Sequence, residues 1–286
     1  MSAPTLTAST RQSAWRRVLG GRDVVIISPQ YWGDLWVSKH WIAYQLADHC
    51  RVLFVEPPLW LSGLVRGPGT WSRDLSKLWR PLRQIKKNLL VFRPRLYPRL
   101  SSGWTATVPE QIRRVAQRIG MDEPIVLNFE TNPRIVKALH GAVNIYYCVD
   151  PVMSAANDEN DEQRTCAESD LIYAVSEAYR EQLAAYGTGK PIYVIPHGYA
   201  FEHARRVDED PASIEPAELR GLPRPVLGFV GSVHDSTVDI DRLERVAKAF
   251  ENASIVLIGP HKNNPIGPDL SAPVISPGLR PCAYKD

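Results

Sequence analysis

Several short apolar runs in this chain end in residues that can bind a ligand or carry a proton. PIVLNF (124–129) holds Asn128 at its end and is followed by Glu130. VNIYYCVD (143–150) closes on Asp150, and DLIYAVS (170–176) closes on Ser176. IYVIPHG (192–198) ends in His197 and Gly198. LGFVG (227–231) breaks at Gly231, and Ser232, Val233 and His234 come next. Polar groups at the carboxyl ends of parallel strands face the ligand crevice of an open α/β sheet. Gly231 lets backbone approach a ligand closely, and the helix after it offers free N–H groups to an anion. A diphosphate is the natural occupant. The plain alternative is a glycine that only makes a strand-to-helix turn, since no G-x-G-x-x-G is present.

Each of these residues also has a structural reading. Asp150 orients a substrate or caps a helix. Asn128 and Glu130 line a cleft or finish a strand. Ser176 contacts a ligand or serves as a helix N-cap. His197 faces a cleft or packs, and Gly198 provides a positive-φ turn. The loop SPQYWGDLWVSKH (28–40) carries Tyr31, Trp32, Asp34, Trp36 and His40. Aromatic faces beside hydrogen-bonding groups suit a sugar acceptor. Core packing of Trp36 and Trp41 is the competing account.

The elements that would position these residues alternate. DVVIISP (23–29) and RVLFVEP (51–57) are strands on either side of a helix, SKHWIAYQLADHC (38–50). Ser38 is its expected N-cap, and Trp41, Ile42, Leu46 and Tyr44 its expected buried side. Further on, helices are expected over 109–120, 132–139, 161–169 and 177–187, with Gly120 and Gly187 as stops. Strands lie between them, as bounded above. Strand–helix alternation up to about residue 200 predicts a doubly wound, Rossmann-like parallel sheet. A polar, proline-rich stretch, 205–225, reads as a linker. A second strand–helix–strand unit starts at 226. The expected domains are 22–204 and 226–286. With two clear strands and at most one more, the second is expected to be incomplete, as in a chain that stops early.

Between the first strands and the helix at 109 lies a basic segment. Trp71, Leu75, Leu78, Trp79, Leu82, Ile85 and Leu89 recur at helical spacing, with Arg73, Lys77, Arg80, Arg83, Lys86 and Lys87 between them. This predicts two short amphipathic helices, separated at Pro81, that rest on an anionic membrane surface or pack on the sheet. The chain has 286 residues, a net charge of +3 and 44% hydrophobic residues. That balance excludes wholesale disorder and does not call for nucleic acid. The four cysteines show no C-x-x-C and no zinc spacing, so reduced thiols and no metal site are expected. No apolar run approaches the ~20 residues of a membrane-spanning helix, and the N-terminus lacks a signal-peptide core.

Taken together, PQYWGDLWVSKHWIAYQLADHCRVLFVEPP, IYYCVD, AESDLIYAVSEAYREQL, VIPHGYAFEHA and GFVGSVHDSTVDIDRLERVAKAFENASIVLIGP resemble the landmarks of a GT-B-fold glycosyltransferase. The likeness is to the family 1 and family 4-like sugar transferases of bacterial polysaccharide synthesis. It implies two Rossmann-like domains, the first for the acceptor and the second for the donor. It implies transfer of a sugar from a nucleotide-diphosphate sugar to an acceptor hydroxyl, as in polysaccharide or glycolipid synthesis. No metal or other cofactor is called for. Partners implied are the nucleotide sugar and a sugar or lipid-linked acceptor, with a cytoplasmic, membrane-peripheral setting. Gly231, Ser232, Val233 and His234 fall on the donor diphosphate loop, and Asp150 on the catalytic acid. The chain departs from the pattern in three places. Val149 stands where many relatives have histidine. His197 stands for asparagine, and no arginine or lysine follows Gly231 closely. The family's paired glutamates would fall beyond Asp286. A non-catalytic remnant of the acceptor domain and a nucleotide-sugar epimerase remain the alternatives.

Overall fold

The computed structural model describes residues 21–33, 36–58, 81–95, 104–139, 141–150, 159–198, 205, 209, 219–230, 239–250, 252–258 and 279–282. The chain divides into two compact units, Met1–Gly198 and Tyr199–Asp286.

The first unit is built on eight strands: β1 (Val24–Ile27), β2 (Val52–Val55), β3 (Leu82–Lys86), β4 (Leu89–Phe92), β5 (Ile125–Asn128), β6 (Val143–Cys148), β7 (Leu171–Ala174) and β8 (Ile192–Val194). They hydrogen-bond in the order β3-β4-β2-β1-β5-β6-β7-β8. All pairs are parallel except β3 with β4. From β4 onward this is the doubly wound arrangement in which the chain winds outward from the centre both ways. The helices are α1 (Ser38–Leu46), α2 (Trp104–Arg118), α3 (Pro133–Leu139), α4 (Glu159–Glu168) and α5 (Glu177–Ala184).

β-branched and aromatic runs buried on both faces explain the central strands: Val24 to Ile27 and Val52 to Val55 are at most 3% exposed. On one face, Val108, Ile112 and Ala116 of α2 follow a helical stripe onto Val25, Leu53, Val55 and Val126. On the other, Ala43 and Ala47 let α1 lie close over Ile26, Val52 and Phe54. α4 and α5 add Cys166 and Leu183 to a core with Tyr146 and Ile172. Arg51, at the start of β2, donates to Asp23 and to the carbonyls of Ile119 and Gly120, which closes the end of α2. Gly120 and Gly187 take positive φ after their helices, as the sequence implied.

Several elements depart from the sequence expectation. Residues 82–86 and 89–92 form an antiparallel hairpin, not helix. The leucines had helical spacing, but in β4 Leu89 and Val91 enter the core on one face of the sheet and Phe92 the core on the other. Lys86 also ties the hairpin to α1, with its ammonium 2.5 Å from Asp48 and 4.2 Å from the centre of the Tyr44 ring. The remainder of that basic segment, 59–80, lies outside the described residues. α2 begins five residues earlier than its expected start at Pro109, at Trp104. Val37, not Ser38, is the N-cap of α1. The buried residues of that helix are Lys39, His40 and Ala43; Ile42, Tyr44 and Leu46 pack against the core as expected, while Trp41 is 48% exposed.

The second unit holds a three-stranded parallel sheet in the order β11-β10-β9: β9 (Val226–Val230), β10 (Ser254–Ile258) and β11 (Leu279–Cys282). α6 (Ile240–Ala249) follows β9, and the Asp239 carboxylate accepts the Arg242 N–H at 2.9 Å as its N-cap. Ala247, Ile255 and Leu257 form its small core with Phe229, Leu243 and Val246. Gly231 to His234 lie outside the described residues.

Gly141 enters β6 where an added Cβ would meet the Pro124 carbonyl oxygen at 2.6 Å and a Val126 methyl at 2.7 Å. The first is backbone at the entry to β5 and the second a β-branched methyl within it, so neither gives way easily. Gly141→Ala is expected to lower the unfolding free energy by about 1–3 kcal/mol. A chemical denaturation curve identical to that of the natural chain would contradict this packing.

Candidate functional site

Strand order reverses between β1 and β5, so the crevice of this sheet opens at their carboxyl ends. The two strand ends are closed in the same way. The Ser28 hydroxyl donates to the Gln30 carbonyl and accepts the Gln30 N–H, both at 3.0 Å. The Asn128 amide donates to the Glu130 carbonyl at 2.8 Å and accepts the Glu130 N–H at 3.0 Å. Asn128 is buried and spends its side chain on this turn. Its work is to fix Glu130 beside the crevice.

Neighbouring β2 ends in Glu56, whose carboxylate is fully buried. It accepts from Arg93 Nε at 2.6 Å, Arg83 Nη2 at 2.8 Å and the Trp32 backbone N–H at 2.8 Å. The Arg93 guanidinium lies 4.6 Å from the centre of the Tyr31 ring. An ion triad thus anchors the aromatic loop after β1. Trp32 packs edge-on against Phe54, His40 and Trp36 at 5.0, 5.3 and 5.2 Å. Trp36 touches Trp41 and Tyr44 in turn. Tyr31 is 46% exposed.

His40 is 1% exposed. Its Nδ1 accepts the Val37 N–H at 3.1 Å, and its Nε2 pairs with the Tyr31 carbonyl at 3.0 Å. These partners assign the proton to Nε2. Burial holds the pKa of His40 below its ordinary value, with the Tyr31 and Val37 backbone contacts acting upward. Both nitrogens are used by the chain itself, so His40 shapes the loop. Asp34 lies outside the described residues.

The chemistry-bearing group at the crevice includes a residue that the sequence did not single out. Lys39 is 2% exposed in the first turn of α1. Its ammonium is 5.6 Å from the centre of the Phe129 ring and feels the Asp150 and Glu130 carboxylates. Burial lowers the Lys39 pKa, and those two charges oppose the shift. Burial pushes the Glu130 carboxyl up to about 7, against the pull of Lys39. Neither the Lys39 ammonium nor the Glu130 carboxylate hydrogen-bonds to a described residue. Lys39 is buried and Glu130 half-buried, and the polar ends of both keep contact with solvent. Only its place marks Lys39 in the sequence: the first turn of the helix that follows the central strand.

The other expected site residues fall as follows. Asp150 ends the β6 segment, close enough to Lys39 for their charges to interact. Ser176 is the N-cap of α5 and accepts the Tyr179 N–H at 3.3 Å. His197 and Gly198 are exposed after β8. Gly198 does not take the positive φ expected of it, and no turn forms over residues 195–198. A cleft of about 230 Å³ lined by Ile112, Met121, Pro124 and Leu139 sits at the amino ends of the strands, away from this group. Among the described residues, no cluster of three or more His, Cys, Asp or Glu side chains could hold a metal ion. No described helix is long and apolar enough to cross a membrane.

Two outcomes test this geometry. Glu56→Ala strands two arginines and frees the Trp32 amide, so it is expected to cost about 3–5 kcal/mol of stability. An unchanged melting temperature would contradict the anchoring role. Glu130 holds its proton in the fold to higher pH than the ordinary value of 4.5. The folded chain therefore binds more protons than the unfolded chain between about pH 4.5 and 7, and stability falls as pH rises through that window. Relative to Glu130→Gln, the natural chain is expected to lose on the order of 2 kcal/mol from pH 5 to 7.5. Parallel stability profiles for the two proteins would refute the shift.

No family model matches the sequence, and no curated protein matches it. Solved structures do match in fold. Sucrose-phosphate synthase from Thermosynechococcus elongatus superposes with a TM-score of 0.54 at 12% identity, over 93% of this chain and 71% of that one. A structure described as trehalose-6-phosphate from E. coli bound with UDP-2-fluoro glucose gives 0.51 at 11% identity, over 92% and 74%. UDP-N-acetylglucosamine 2-epimerase from Rickettsia bellii gives 0.50 at 11% identity, over 91% and 68%. At these identities the likeness is one of fold, and the fold is that of the GT-B glycosyltransferases.

Proposed function

We propose that this protein is a glycosyltransferase that moves a sugar from a nucleotide-diphosphate sugar to an acceptor hydroxyl. The observation that carries the reading is the pairing of a GT-B fold with an acid–base group, Glu130, Asp150 and Lys39, at the switch point of the first sheet. A carboxyl group that titrates near neutrality suits proton transfer at physiological pH. The first unit then holds the acceptor, with Tyr31 and Trp32 offering ring surfaces. The second holds the donor, with Gly231, Ser232, Val233 and His234 at the diphosphate and residues 205–225 as linker. Leaving-group charge is stabilised by the N–H groups of the helix start. A hexosyl donor, a sugar or lipid-linked acceptor, and a role in polysaccharide or glycolipid synthesis at the cytoplasmic membrane face complete the proposal. The likeness to a UDP-N-acetylglucosamine 2-epimerase favours one rival, epimerisation of the same class of substrate.

Calorimetry with a panel of nucleotide-diphosphate sugars is the test, followed by product analysis. Binding in the micromolar range, about −8 kcal/mol, is expected for one base type. A nucleoside diphosphate with a new glycosidic bond supports transfer, and an altered free sugar nucleotide supports epimerisation. Absence of binding to a folded chain would contradict both and leave a non-catalytic acceptor-domain protein.

A further inference from the structure

Two charged groups face the crevice without a protein hydrogen bond among the described residues. One is the carboxylate of Glu130, and the other is the ammonium of Lys39. Each is held from behind. Asn128 clamps the backbone of Glu130 in both directions, so the carboxylate projects from a fixed point. Lys39 is set by its place in the first turn of α1, and that turn is fixed by both nitrogens of His40. The loop before it is fixed by Glu56. A carboxylate and an ammonium presented from fixed backbone positions are together complementary to one chemical group. A hydroxyl donates one hydrogen bond and accepts others. An anionic ligand fits poorly, because Glu130 and Asp150 would repel it.

We propose that Glu130 is the general base that takes the proton of the acceptor hydroxyl, and that Lys39 is the residue that positions it. This deepens the glycosyl-transfer reading and rests on it. In the step, the hydroxyl O–H bond breaks and its proton passes to a Glu130 carboxylate oxygen. The oxygen forms a bond to the anomeric carbon of the donor. The bond from that carbon to the diphosphate breaks, and its electron pair leaves with the nucleoside diphosphate. Atoms and charge balance without any other reactant. Lys39 hydrogen-bonds the hydroxyl oxygen and keeps part of the Glu130 population ionised. The charged group that acts on Glu130 is Lys39 from α1, which in turn interacts with Asp150 after β6. Burial raises the Glu130 carboxyl to about 7, which gives a base matched to neutral pH. Asp150 then remains to orient the transferred sugar or the acceptor.

The experiment uses the full chain with UDP-glucose, GDP-mannose and ADP-glucose as donors and water as the stand-in acceptor. Nucleoside diphosphate release is followed against pH for the natural chain, Glu130→Gln and Lys39→Met. The donor dissociation constant is measured for each protein in parallel. Glu130→Gln is expected to bind donor as before and to lose on the order of 100-fold in release rate. Lys39→Met is expected to raise the acidic limb of the kcat/KM profile by about one pH unit, because the carboxylate has lost its cation. Carboxyl-labelled glutamate NMR should show the same upward movement of the Glu130 titration. Glu130→Gln releasing diphosphate within about twofold of the natural chain would overturn the base assignment and leave the transferase reading intact. An unmoved pH profile in Lys39→Met would overturn the positioning role. Failure of the folded natural chain to turn over any of the three donors would overturn the base assignment together with the transferase reading.

Discussion

A parallel sheet that winds outward in both directions from one strand has no crossover helix bridging the carboxyl ends of its two central strands. In this protein those strands are β1 and β5. The loops that leave them must satisfy their own backbone polar groups where the sheet stops. Ser28 and Asn128 do this with paired side-chain contacts two residues ahead. The same constraint explains Glu56. It takes in the Trp32 amide that neither strand nor helix can serve.

Satisfying the backbone this way brings charge inside, and the protein handles it unevenly. Glu56 is fully answered by Arg83, Arg93 and an amide. Glu162, equally buried on the opposite side of the unit, is answered by the hydroxyls of Tyr146 and Tyr186 at 2.7 Å each. Lys39 and Glu130 are left with their mutual attraction and, for Lys39, the face of the Phe129 ring. Among the described residues, the two buried carboxylates are closed by protein donors, while half-buried Glu130, after β5 at the switch point, is not. That contrast is what singles out Lys39 and Glu130 as a candidate site.

Much of this organisation was legible in the sequence, and the reasons differ by element. β1, β2, β5 and β6 stood out because doubly buried parallel strands must be continuous apolar runs. Ser176 was read correctly as a possible cap because a hydroxyl before an acidic first turn has a local job. The β3–β4 hairpin was not legible, since Leu82, Ile85 and Leu89 fit a helical repeat and the Lys87-Asn88 turn carries no glycine to announce itself. The inner face of α1 was legible in part: Ile42, Tyr44 and Leu46 pack against the core as expected, and Trp41 does not. Its hydrophobic residues suggested Trp41 inward, whereas close approach to the sheet is made by Ala43 and Ala47. Lys39 was invisible because a lysine in a helix is ordinarily a solvated one, and only the tertiary position of the α1 start buries it. Glu130 was visible as a strand-end acid, but its perturbed acidity depends on burial that the sequence does not state.

The central claim is that the carboxyl ends of β1, β5 and β6 form the reacting site of a sugar-nucleotide enzyme. Hydrogen–deuterium exchange of the full chain with and without saturating UDP-glucose or GDP-mannose tests it most directly. The account predicts slowed exchange of the amides at 28–33 and 129–131, beside Glu130. Slowed exchange elsewhere in the folded chain, with those two segments unchanged, would contradict it.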